Sequence, residues 1–245
     1  MKLAPEFLTT PLAHRGLHDE KADENSSLAF SQAVNAGYGI ELDVHVISDG
    51  SLLVFHDRHL TRIIDVDVDI TTLTLNERDQ YLLPLSGEVI PTLSEVLEIV
   101  NGQVPLLIEL KVDGPFNELL AEQTIKALEG YPAPHLIAIQ SFNPFAMKYL
   151  RKNHPNKYAY GQLVTNELEG YSKFTEYLFK TMKVTMISKP NFIAYNVDDF
   201  PNKYLRRKRK KGMPVLSWTI NSDELYAKAV QYADNVIFEK IRPIL

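Results

Sequence analysis

The chain contains no cysteine in its 245 residues. Disulfides and thiol chemistry are therefore excluded, and cysteine usage says nothing of the redox compartment. Long apolar runs are missing too. Those present are strand-sized, far below the roughly 20 residues that a spanning helix needs, so no stable membrane insertion is expected. An excess of basic charge is also absent: 26 Lys and Arg face 31 Asp and Glu, a net charge of −5. That balance argues against a general nucleic-acid binder. The N-terminal stretch MKLAPEFLTTPLAHRG has no apolar h-region and no small-residue cleavage pattern, so a soluble, cytoplasmic chain is expected. No repeat, low-complexity tract or linker divides the chain, and one domain over residues 1–245 is expected.

What the chain does have is concentrated between residues 12 and 57. One short apolar run ends in His14-Arg15-Gly16. A second carries Glu41 and Asp43, and a return run delivers His56-Asp57. Side chains two apart on a strand share a face, so Glu41 and Asp43 point the same way. Adjacent carboxylates repel unless a cation lies between them, and oxygen-only donor sets suit Mg²⁺, Ca²⁺ or Mn²⁺. Two histidines beside such a cluster can supply an acid and a base near neutral pH.

The remainder alternates between strand and helix patterns. Asn25 or Ser26 caps a helix closed by Gly37; Gly39–Val46 is a strand, Asp49-Gly50 a turn, and residues 52–55 a return strand. Residues 57–91 lose periodicity, and a small lid or subdomain is expected there. Thr92 and Glu95 form a capping box. Further strands follow near 105–111, 136–141, 158–164, 192–197, 215–220 and 236–238, separated by helical patterns. Without the return strand, eight strands alternate with helices, which implies an α/β fold, a (β/α)₈ TIM barrel with a small insertion after the second barrel strand. Active sites in such barrels lie at the C-terminal ends of the strands. His14, Glu41, Asp43, Glu109, Lys111, Ser141 and Trp218 all fall at or near those ends.

The order of the pieces resembles the glycerophosphodiester phosphodiesterase family: HRG at 14–16, Glu24-Asn25-Ser26, Ala29-Phe30, Glu41-Leu42-Asp43-Val44, Asp49-Gly50 and His56-Asp57. The resemblance implies a metal-dependent phosphoric diester hydrolase that converts a small phosphodiester, such as glycerophosphocholine, to sn-glycerol 3-phosphate and an alcohol. It also implies His14 and His56 as the catalytic pair, in an order left open. Glu41, Asp43 and Glu109 would be ligands to a divalent cation, Mg²⁺ or Ca²⁺. Arg15 and Lys111 would hold the phosphate, and Gln140, Ser141, Phe142 and Trp218 would line the substrate pocket. Whether water or the glycerol 2-hydroxyl attacks is not set, nor is the oligomeric state.

Plainer readings stand beside these. Arg15 or Lys111 can form salt bridges to neighbouring carboxylates, and strict alternation puts Arg15 opposite His14 unless the strand has ended. Phe142 and Trp218 also suit core packing. His18 and His59 read as solvated, and His45 matches no functional position. Arg206–Lys211 reads first as an exposed helix C-terminus stopped by Gly212, with attraction to anionic lipid surfaces or acidic substrates as the other reading. Two departures from the family pattern are Ser26 for threonine and the run Asn235–Lys240, where relatives often show a small polar residue and Asp or Asn. Rival functions are a lysophospholipase D or sphingomyelinase D-like enzyme, and a silent phosphoester-binding barrel.

Overall fold

In the computed structural model, which describes residues 1–112, 114–166, 170 and 172–245, nine strands form one sheet. The chain opens with a short helix α1 (Glu6–Thr9), then β1 (Leu12–His14), α2 (Ser27–Ala36), β2 (Gly39–Val46) and β3 (Leu52–Val54). A one-turn α3 (Thr61–Ile64) precedes α4 (Leu93–Val100) and β4 (Leu106–Leu110). There follow α5 (Leu119–Ala127), β5 (Ile137–Ser141), α6 (Pro144–Asn153), β6 (Ala159–Val164), α7 (Lys173–Lys180) and α8 (Thr185–Ser188). β7 (Phe192–Asn196), α9 (Lys203–Arg209), β8 (Val215–Ile220), α10 (Asp223–Tyr232) and β9 (Asn235–Phe238) complete the order.

Eight strands, all but β3, run parallel and close into a TIM barrel through β1, where Leu12 lies opposite Ile237 and Ala13 opposite Phe238. β3 is antiparallel to β2, with Val44 opposite Val54 and Val46 opposite Leu52. Successive carbonyls of a strand point to opposite edges. The Val44 carbonyl accepts from Lys111 N beyond β4, while the Asp43 carbonyl accepts from Phe55 N. β3 therefore runs along the β1 edge of β2, past the point where the three-residue β1 has ended, and hands His56 to the same end of the barrel as His14.

The helices form where their caps require. Ser26 Oγ accepts from Ala29 N, and Gly37 closes α2 at φ +77, a conformation that costs glycine little. Thr92 and Glu95 make the expected capping box. β2 and β4 are buried along nearly their whole length on both faces, as a parallel sheet demands. Their outward residues Ile40, Leu42, Val44 and Ile108 pack with Phe30 and Val96 of the helix layer. The inward set Leu12, Leu107, Phe192 and Leu216 fills the barrel with Phe7 of α1. A side chain at Gly161 would meet the Phe192 ring at 2.2 Å, so only glycine lets that ring occupy the barrel.

Residues 57–91, which lack periodicity, are ordered by a satellite core. Leu60, Ile70, Leu73, Leu83 and Ile90 pack on Ile47, Leu53 and Phe55. The segment is fastened to the loop after β1: the Asp23 carboxylate accepts from Leu85 N and Ser86 N, and Arg62 reaches both oxygens of Glu24.

Candidate active site

β1 ends at His14 because the next backbone is left-handed, Arg15 at φ +57 and Gly16 at φ +83. A Cβ on Gly16 would lie 2.9 Å from Ala29, so this turn is closed to larger residues. The turn breaks the alternation and returns Arg15 to the face of His14. Its Nη1 donates to Glu24 Oε1 at 2.6 Å, its Nε lies 3.4 Å from Asp43 Oδ2, and its backbone N donates to Glu41 Oε2.

Glu41 and Asp43 share the inner face of β2, and Glu109 lies opposite Asp43 in register on β4. One oxygen from each sits within 4.8 Å of the other two, and all three residues are buried. Lys111 Nζ bridges the pair, 2.9 Å from Asp43 Oδ1 and 2.8 Å from Glu109 Oε1. Asn25 Nδ2 donates to Asp43 Oδ2, and Gln140 Nε2 donates to Glu41 Oε1. Three carboxylates thus face two cations, Lys111 and Arg15. Burial, with Asp43 and Glu109 adding repulsion, pushes the Glu41 carboxyl well above its ordinary range, and burial raises Glu109 as well. Against its own burial, Asp43 is held well below the ordinary range by Lys111, His56 and Arg15. At least one negative charge therefore lacks a counter-charge, and either a proton on Glu41 or a cation relieves it. Three buried oxygen donors with a charge to spare fit a hard divalent cation.

Both histidines are anchored at Nδ1. His14 Nδ1 lies 3.0 Å from Glu239 Oε2, in the residue that follows β9, the neighbour of β1 in the ring. His56 Nδ1 lies 2.6 Å from Asp57 Oδ1. Burial lowers both imidazoles, His56 to about 4 with Lys111 and Arg15 contributing, so each is neutral at neutral pH. The bond to His14 holds Glu239 down at about 2. Arg62 Nε donates to Asp57, while its Nη atoms donate to Glu24, which also accepts from Arg15. One guanidinium from the 57–91 segment thereby ties the partner of His56 to the partner of Arg15.

A cavity of about 80 Å³ is bounded by His14, His56, Glu41, Lys111, Phe142 and Trp218. The Phe142 and Trp218 rings meet edge to face at 5.6 Å, and the buried Trp218 Nε1 has no hydrogen-bond partner among the described residues. Gln140 reaches this cavity through its bond to Glu41. Ser141 does not: parity on β5 turns it to the opposite face, where its hydroxyl donates to the Leu110 carbonyl and accepts from Asn143 N. His45 props the His56 carbonyl through Nε2, at 3.1 Å. His18 lies 3.9 Å from Glu239 and is lowered by burial, so it is a neighbour of the site rather than solvated. His59 pairs with Asp67 at the surface.

Sequence reasoning missed Glu239, Arg62 and the roles of Glu24, Asn25 and Asp57. The last three lay inside quoted motifs. Glu239 carried one usable signal: the residue after the last strand of a closed barrel stands beside the end of the first.

The eight-stranded barrel thus gathers two histidines and a carboxylate cluster at the C-terminal ends of its strands. Residues 14–240 match the glycerophosphoryl diester phosphodiesterase family, and the chain belongs to that family. It is 33% identical over 156 residues to a glycerophosphodiester phosphodiesterase of Caldanaerobacter subterraneus, covering 60% of this chain and 64% of that one. A lysophospholipase D of Rattus norvegicus is 32% identical over 143 residues, 53% of this chain and 44% of the relative. The solved glycerophosphodiester phosphodiesterase of Thermotoga maritima superposes with a TM-score of 0.72 at 28% identity, covering 94% of each chain. No helix among the described residues is long and apolar enough to cross a membrane.

Proposed function

We propose that the chain hydrolyses glycerophosphodiesters to sn-glycerol 3-phosphate and an alcohol, by proton transfer between two histidines beside a divalent cation. The carrying observation is that His14 and His56, each anchored at Nδ1 by a carboxylate, line one cavity with Glu41, Glu109 and Lys111. An Nδ1–H donated to a carboxylate leaves Nε2 with a lone pair, the form a general base needs. A bound phosphate anion raises both imidazole pKa values, so one ring can carry the proton that the departing alkoxide takes. The other accepts the proton of the attacking hydroxyl. The bond from phosphorus to the attacking oxygen forms as the bond to the alcohol oxygen breaks, and the net proton count is conserved.

Arg15 and Lys111 hold the phosphate oxygens and stabilise charge as it builds. Glu41, Asp43 and Glu109 would hold Mg²⁺ or Ca²⁺, which supplies further charge stabilisation at the phosphoryl oxygens. Phe142 and Trp218 take the glycerol by apolar contact, with Trp218 Nε1 free to donate to one of its oxygens.

The test is turnover of glycerophosphocholine with and without EDTA, with Mg²⁺ or Ca²⁺ restored, in the wild type and in His14→Ala. Activity that needs the metal and falls at least about 10²-fold in the variant is expected. Folded protein that is inactive with every metal sinks the soluble-diester reading. The likeness to a lysophospholipase D favours a second reading, in which a lysolipid is the substrate and the diester is not. Turnover of the soluble diester alone excludes it.

A further inference from the structure

The charge of the chain is divided between two parts of the barrel. Residues 144–213 hold 15 of the 26 Lys and Arg but 5 of the 31 Asp and Glu, a net of +10, which leaves −15 for the rest. These residues build α6 to α9 around the neighbouring strands β5 to β8, so they form one continuous sector of the wall. α6 packs on α8, and Asn202 at the start of α9 donates to the Lys180 carbonyl at the end of α7.

Cations in the two parts are treated differently. Outside the sector, six of the 11 Lys and Arg, namely Arg15, Arg58, Arg62, Arg78, Lys111 and Lys240, reach carboxylates. Within it, Lys157 and Arg209 alone do so among the described residues. Such a field of uncompensated like charge is self-repelling, and it attracts an extended anion.

Apolar side chains stand among these charges. Met186 on α8 and Phe174 on α7 are 71% and 68% exposed, more than any other large apolar residue among the described ones except Ile244. Phe145 on α6 is 54% exposed, and Tyr177 lies one turn from Phe174 with Lys183 over its ring at 4.7 Å. Phe145 and Phe174 occupy first turns of helices that follow β5 and β6, at the barrel end that carries the site.

We infer that the α6–α9 sector is a docking surface for an anionic lipid membrane. Lysines and arginines meet the lipid phosphates, while Phe145, Phe174 and Met186 enter the headgroup layer, so that the barrel lies with this side of its wall along the membrane. An excess of cations interspersed with exposed apolar tips is the composition of peripheral membrane contact. A nucleic acid matches the charge but gains nothing from Met186.

Co-sedimentation with vesicles of phosphatidylcholine containing about 30 mol% phosphatidylglycerol tests this. Binding is expected there, but not to pure phosphatidylcholine, and it is lost in about 0.5 M NaCl as charge is screened. The triple variant Arg206→Gln, Arg207→Gln, Lys208→Gln should lower the partition coefficient about 100-fold, at about 1 kcal/mol per charge. The double variant Phe174→Ser, Met186→Ser should lower it about tenfold. Both variants lie on the surface, and an unchanged thermal melt verifies their fold. No binding of wild type to the anionic vesicles overturns the proposal. So does binding that both variants keep, or tighter binding to a single-stranded oligonucleotide than to the vesicles.

Discussion

His14 and His56 are held by the same device in different surroundings. The carboxylate behind His14 comes from the far end of the chain, separated by 225 positions, and reaches it because β9 closes the barrel against β1. The carboxylate behind His56 is its neighbour Asp57, and that group is gripped in turn by Arg62. One histidine thus depends on ring closure. The other depends on an inserted segment that also reaches Glu24 and, through it, Arg15. Glu239 has the looser neighbours His18 at 3.9 Å and Lys240 at 3.8 Å, whereas Asp57 is tied by close hydrogen bonds through Arg62 to Glu24 and Arg15, so the two arms should fail differently.

Removing either imidazole is the largest perturbation, and His14→Ala and His56→Ala should each lower kcat by roughly 10²–10⁴. If one variant keeps near-native turnover, the two arms are not equivalent in the chemistry. Glu239→Gln comes next. It keeps the volume but loses the charged acceptor, and kcat should fall by about 10²-fold with KM nearly unchanged, since the side-chain hydrogen bond of Glu239 is to His14 Nδ1. An altered KM with intact kcat would place Glu239 in binding instead. Arg62→Ala should lower kcat by about three- to tenfold and also raise KM, because it releases both Asp57 and the Glu24 that steadies Arg15. A pure kcat effect would break the link to Arg15.

The smallest effect is on stability. Glu239 is depressed to about 2 from the ordinary glutamate range, chiefly by its bond to His14. The unfolded chain therefore binds this proton at a higher pH than the folded one. The stabilisation is complete above the unfolded pKa near 4.5 and is lost as pH falls toward 2. Melting curves of wild type and Glu239→Gln should therefore lie further apart at pH 6 than at pH 3. A gap that stays constant across that range would show that the charge of Glu239 contributes nothing.

The sequence carried most of the barrel because the strands are short, apolar and punctuated. Gly39–Val46 and Val215–Ile220 match their expected bounds. Residues 57–91 were opaque because Leu60, Ile70, Leu73 and Leu83 serve a small core at no regular spacing. In the site, the carboxylates were legible from strand parity. Ser141 was misplaced because nearness to a strand end does not say which face a residue takes, and Gln140 holds the inward one. Arg15 required a left-handed turn that alternation does not foresee, though the following glycine hints at it. Glu239 was hidden by distance along the chain.

Closure of the ring at β9 has a consequence for how the protein comes into being. All three candidate metal ligands have been synthesised by residue 109, and both histidines well before that. The carboxylate hydrogen-bonded to His14 follows the eighth barrel strand, and it reaches its place only when β9 has docked against β1. A nascent or truncated chain that carries the cluster but not the last strand would hold a cation without an aligned base. Catalysis would then begin only in molecules whose barrel is complete, which makes turnover a report on finished folding.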